Sequence, residues 1–122
     1  MDQQEKTGER ASGPFVVFAL QDVSSRLAGE PQWQKNDRAS TSVVKNDDLS
    51  VTLLMLKPGA HMKEHTARKA ASVHVLSGRI RFTSASSARE LGAGMLAMVQ
   101  GGVPHAVEAL EQSTLLVTAA LG

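Results

Sequence analysis

Short apolar runs, each cut off by Gly, Pro, Asn or Asp, set the rhythm of this chain. Residues 41–45 read TSVVK and stop at Asn46-Asp47-Asp48, and residues 49–56 read LSVTLLML and stop at Lys57-Pro58-Gly59. SVHVL over residues 72–76 breaks at Ser77-Gly78 and is followed by RIRFT over 79–83, while MLAMV over 95–99 follows the turn Gly92-Ala93-Gly94. Residues 104–109 and 114–120 (TLLVTAA) flank a turn at 110–113. β-branched runs of this length, spaced by turn residues, predict an all-β sandwich or barrel. FVVFAL at 15–20 reads as a further short strand and 84–89 as a loop. Residues 21–37 read as irregular, with a turn of helix around 23–27 and Trp33 packing down onto the domain. Residues 1–14 are polar and aperiodic, which predicts a mobile tail ahead of one domain over 15–122.

Two of the predicted strands are apolar on consecutive positions, Leu53 to Leu56 and Met95 to Val99. Successive side chains of a strand point to opposite faces, so both faces need cover. One face fills the barrel, and a second subunit is the simplest cover for the other. A homodimer is therefore expected. Composition agrees: the aromatics are Phe15, Phe18, Phe82 and Trp33, with no tyrosine, so the core is built from smaller aliphatic side chains.

Formal net charge is +1, with Lys and Arg scattered among Asp and Glu, and no basic stripe interleaves with aromatics; nucleic acid is not an expected partner. No apolar run approaches membrane-spanning length, and 15–20 is too short for a signal core. Cysteine is absent, which removes thiol catalysis, disulfides and cysteine-ligated zinc and fits a soluble cytoplasmic protein. Ser72, Ser77 and Ser113 stand at strand ends or turns without a recognisable base, so nucleophilic catalysis has no support.

Three of the four histidines, His61, His65 and His74, crowd between Gly59 and Gly78; the fourth is His105. HMKEH at 61–65 fits the His-x-x-Glu-His pattern of helical zinc proteases, but it runs straight into β-branched SVHVLSGRIRF without a helix stop, which favours extended chain.

Spacing around these histidines resembles the cupin family. Gly59, five residues, His65, Thr66, Ala67, three residues, Ala71, six residues and Gly78 follow the spacing of the family's first motif over 59–78. Gly94, five residues, Gln100, Gly101, Gly102, Val103-Pro104, His105 and, four residues on, Ala109 follow the second motif over 94–109. Fifteen residues separate the two, as in small bacterial cupins. The resemblance implies an RmlC-like double-stranded β-helix, a jelly-roll barrel, preceded here by a short irregular or helical segment. It also implies a metal held by two histidines and a glutamate of the first motif and the histidine of the second.

This chain keeps only His65 and His105 at those four positions; Ala67 and Ala71 stand where the other ligands would be. A catalytic metal normally takes about three protein ligands. Two imidazoles fall short, so no cofactor is expected, and any divalent ion (Fe, Mn, Ni or Zn) would rest on His65 and His105 alone. On strand 71–76, Ala71, Val73 and Val75 should face inward and His74 outward; His61 lies about 13 Å from His65 along extended chain. Both are peripheral. The chemistry these residues suit best is non-catalytic binding of an unknown small molecule, with His65 and His105 as polar groups of an aliphatic pocket and Arg68 and Lys69 at its rim to attract a carboxylate or phosphate. Arg79 and Arg81 share one strand face and are weaker candidates for the same task. The competing expectation is a metal-dependent dioxygenase- or isomerase-like enzyme centred on His65 and His105.

Overall fold

The computed structural model describes residues 13–122, so most of the segment read as a mobile tail lies outside the described residues. Two antiparallel sheets face one another. The strands are β1 (Arg38–Lys45), β2 (Leu49–Leu56), β3 (His61–His65), β4 (Ala71–Ser77), β5 (Arg79–Ser84), β6 (Ser87–Gly92), β7 (Leu96–Val99), β8 (His105–Ala109) and β9 (Ser113–Ala120). One sheet has the order β1-β2-β9-β4-β7 and the other β3-β8-β5-β6, the crossing order of a jelly roll. The expected all-β jelly-roll class is met.

Alternation along the strands builds the interior. Leu54 and Leu56 of β2, Val73 and Val75 of β4, Ile80 and Phe82 of β5, and Val107 and Ala109 of β8 are buried in one cluster between the sheets. As expected from its register, β4 turns Ala71, Val73 and Val75 inward and leaves His74 outside, opposite Leu96 and Leu116.

The expected cover for β2 needs correcting. Leu53 and Met55 are buried by this chain itself, beneath α1 (Leu20–Ala28) and α2 (Pro31–Lys35). Val23 and Leu27, one helical turn apart, and Trp33 form with Ala39 and Val43 a second cluster on the outer face of the first sheet. Trp33 is held from above by Lys57, whose Nζ donates to the Trp33 carbonyl (2.8 Å) and lies 4.7 Å from the indole centroid. β7 has no such cover: Leu96 and Met98 are 60 % and 65 % exposed on that same outer face.

Two further expectations change. Residues 15–19 form no strand; Phe15 and Val17 are exposed and the chain enters α1 at Leu20. With no neighbouring strand to pair, an apolar run has nothing to make it a strand. Residues 87–89, read as loop, belong to β6, an edge strand of which only Leu91 is buried. Among the described residues no helix is long and apolar enough to cross a membrane.

Candidate functional site

A cavity of about 230 Å³ opens between the sheets, lined by Met62, Ala67, Ala71, Val73, Val107, Leu115, Val117 and Ala119, with His65 and His105 as its only polar side chains. The two histidines come from adjacent strands. His105 begins β8 and alternates inward with Val107 and Ala109. His65 ends β3 and is its direct cross-strand partner.

Strict alternation would have turned His65 outward beside His61 and Lys63. The register prevents this, because Met62 opposes Val107 while His65 opposes His105. Three steps on β3 are matched by two on β8. That bulge inserts one residue and brings both Met62 and His65 to the cavity. Glu64 stays exposed.

The rings of His65 and His105 lie 4.3 Å apart between centroids, tilted by 58°. Phe82 stacks against the other side of His105, 5.9 Å away at 19°. His105 is 4 % exposed, whereas His65 is exposed toward the mouth. Each ring donates its Nδ1–H to a main-chain carbonyl two residues back, His105 to Val103 and His65 to Lys63, both at 3.0 Å. A carbonyl oxygen can only accept, so in both rings the Nδ1 carries a hydrogen, and in a neutral ring Nε2 is then the acceptor. Two neutral imidazoles of this tautomer cannot hydrogen-bond each other through Nε2, so a proton or a donor on a third group would suit the pair.

Arg68 and Lys69 lie on the exposed segment between β3 and β4 and line a second cavity of about 310 Å³ with Ala67, Ala119, Ala120, Leu121 and Gly122. Ala67 and Ala119 border both cavities, so this groove lies next to the barrel interior. The segment is pinned by the second-motif turn, where the Gly102 N–H donates to the Ala67 carbonyl (2.8 Å).

The remaining candidates lie elsewhere. His61 faces Glu108 on the outer surface of the other sheet, in a groove with Lys63 and Arg81. Arg79 and Arg81 do share a face, but they spend their charge on carboxylates: Arg79 on Glu90 (3.7 Å) and Glu111 (3.6 Å), Arg81 on Glu90 (3.5 Å) and Glu108 (3.4 Å). They are no part of the cavity. Met62 and Phe82 are site neighbours that sequence reasoning missed; for Met62 the signal lay hidden behind the bulge.

The donor set does not fit a resident metal. The positions that would complete it are methyl groups, Ala67 and Ala71, both on the cavity wall. Among the described residues no three His, Cys, Asp or Glu side chains are grouped to hold an ion.

The sequence profile described as a cupin domain matches residues 52–120, which takes in both glycine–histidine motifs. The chain belongs to the cupin family. Its fold is similar to that of a conserved Streptococcus pyogenes protein of unknown function (TM-score 0.73, 21% identity, 96% of each chain). An RmlC-like cupin from Shewanella frigidimarina is also similar (TM-score 0.67, 19% identity, 70% of this chain and 78% of that one). So is an oxalate decarboxylase variant from Bacillus subtilis (TM-score 0.65, 21% identity, 71% of this chain but 26% of that one). At these identities the likeness is one of fold. No curated protein matches this cupin.

Proposed function

We propose that this cupin is a non-catalytic binding module for a small organic molecule, held in the barrel cavity with a hydrogen-bond donor between His65 and His105. The observation that carries the reading is the pair of imidazoles, 4.3 Å apart between centroids and with His105 buried, in a cavity otherwise lined by aliphatic side chains and Met62. A hydroxyl or amine on a largely apolar body supplies what the pair lacks, and the walls favour such a body over bulk water. Nothing else among the described residues supports catalysis at this place. Neither histidine has a carboxylate to orient it, since both Nδ1–H groups are taken by the main chain.

The test is ring nitrogen NMR on the full chain, titrated with hexan-1-ol. The Nε2 resonances of His65 and His105 should move while those of His61 and His74 stay still. Equal movement of all four, or of none, would overturn the reading. Stoichiometric uptake of iron, manganese, nickel or zinc, lost in His105→Ala, would replace it with the metal-enzyme alternative.

We also propose that two copies associate through the outer face of β7 and β4. Leu96 and Met98, exposed on β7 beside His74, support this.

A further inference from the structure

Arg68 and Lys69 line the groove next to the binding cavity; Lys45, Lys63 and Arg89 share with them the lack of an ion pair among the described residues but do not line that groove. Arg38, Arg79 and Arg81 all hold carboxylates. Among the described residues neither Arg68 nor Lys69 reaches one, although both border the groove that shares Ala67 and Ala119 with the barrel cavity. Their backbone is fixed. A β-carbon on Gly101 would overlap the Arg68 carbonyl and lie 2.9 Å from the Lys69 Cα, so the second-motif turn packs directly against this segment. The site thus combines an imidazole pair with His105 buried and His65 exposed, an aliphatic wall, and a rim with two positive charges that hold no carboxylate.

We infer that the ligand is an amphiphilic acid, with its anionic group at Arg68 and Lys69, its apolar body along Ala67, Val117 and Ala119, and a hydroxyl or amine donor at His65 and His105. The inference rests on the binding reading above and adds the class of molecule to it. An acid reversed in the cavity would leave the rim charges without a partner. The inner cavity, about 230 Å³, has room for roughly six to eight non-hydrogen atoms.

Three probes of matched length separate the contributions: hexan-1-ol, hexanoate and the terminally hydroxylated hexanoate. Each is titrated into the wild-type chain and into the double variant Arg68→Gln, Lys69→Gln, with histidine ring NMR and calorimetry as readouts. The hydroxy acid should bind tightest, about tenfold better than hexan-1-ol, the gain expected of one charge-assisted contact. That gain should shrink with added salt and vanish in the double variant, where hexan-1-ol binding stays unchanged. If hexanoate and its hydroxy derivative bind no better than the alcohol, or if the double variant alters none of them, the acid class is wrong. The alcohol's effect on the rings would still uphold the binding reading. If no probe moves the His65 and His105 resonances, both fall together.

Discussion

Gly101 rests against the main chain of Arg68 with no room for a side chain between them. Its place in the second motif is therefore steric. The turn that ends in His105 is docked on the segment that carries the rim charges, and the hydrogen bond from Gly102 to Ala67 closes the same seam. Gly101→Ala should push the segment over 67–70 outward and cost about 1–3 kcal/mol, the usual range for an overpacked contact. Denaturant unfolding measures the cost. Histidine ring NMR should show the His65 signals displaced further than those of His105, because His65 is the ring next to the displaced segment. An unchanged midpoint with unchanged spectra would mean that the two motifs are not coupled through this contact.

Much of this was legible in the chain, for identifiable reasons. Interior strands announce themselves: β2, β4 and β9 alternate or run apolar because both neighbours and both faces constrain them. The edge strands of the second sheet do not. β3 and β6 are polar along most of their length since one side faces solvent, and neither run showed an apolar pattern to read. α1 has no capping side chain at Ala19 and carries Ser24 and Ser25 in its middle, so only the Val23–Leu27 spacing hinted at it. Of the site, the pairing of His65 with His105 followed from motif spacing, but their shared face did not. It depends on a bulge between Met62 and His65 that alternation cannot foresee.

Trp33 joins the helical segment to the barrel. Its ring covers Leu53 and Met55 from outside, while Leu54 and Leu56 point the other way into the core. Trp33→Ala should lower stability by about 3–5 kcal/mol, as large aromatic truncations in a core do. Lys57→Met should cost about 1 kcal/mol through the lost cation–π contact and carbonyl hydrogen bond. Neither change touches the cavity wall. Urea unfolding should register both losses, while hexan-1-ol titration of the still-folded variants gives wild-type shifts at His65 and His105. Altered cavity binding in Lys57→Met would show that the helical cap and the barrel interior are not independent.

Acid should act at the junction of α2 and β1. Arg38 grips the Asp37 carboxylate with two hydrogen bonds, from Nε at 2.9 Å and from Nη2 at 3.1 Å, and these hold the Asp37 carboxyl below its ordinary value, with Arg38's charge adding to the effect. A carboxylate depressed in the folded state stabilises it fully above the unfolded-chain value, and that contribution fades as pH falls through the folded one. Side-chain carbonyl NMR of Asp37 should therefore show a midpoint below the ordinary aspartate value, and Arg38→Gln should raise it toward that value. The pair is solvent-exposed, so thermal stability should change little near neutral pH. A midpoint indifferent to Arg38→Gln would mean the pair does not persist in solution.

The proposed dimer rests on the outer face of β7. Helices α1 and α2 cover β1 and β2 of the same sheet, which leaves Leu96 and Met98 at the opposite edge without cover. His74 stands next to Leu96 across the β4–β7 ladder, so the face is apolar with one titratable group beside it. A second copy related by a twofold axis would place the same residues against one another and bury them without any new surface. Light scattering at micromolar concentration should then give twice the 12.9 kDa chain mass. Leu96→Glu combined with Met98→Glu puts four carboxylates into such an interface and should return the mass of one chain, with the fold intact because both positions are exposed in the monomer. A monomeric wild type would discard the dimer and leave the cavity chemistry untouched, since the barrel residues that line it belong to one chain.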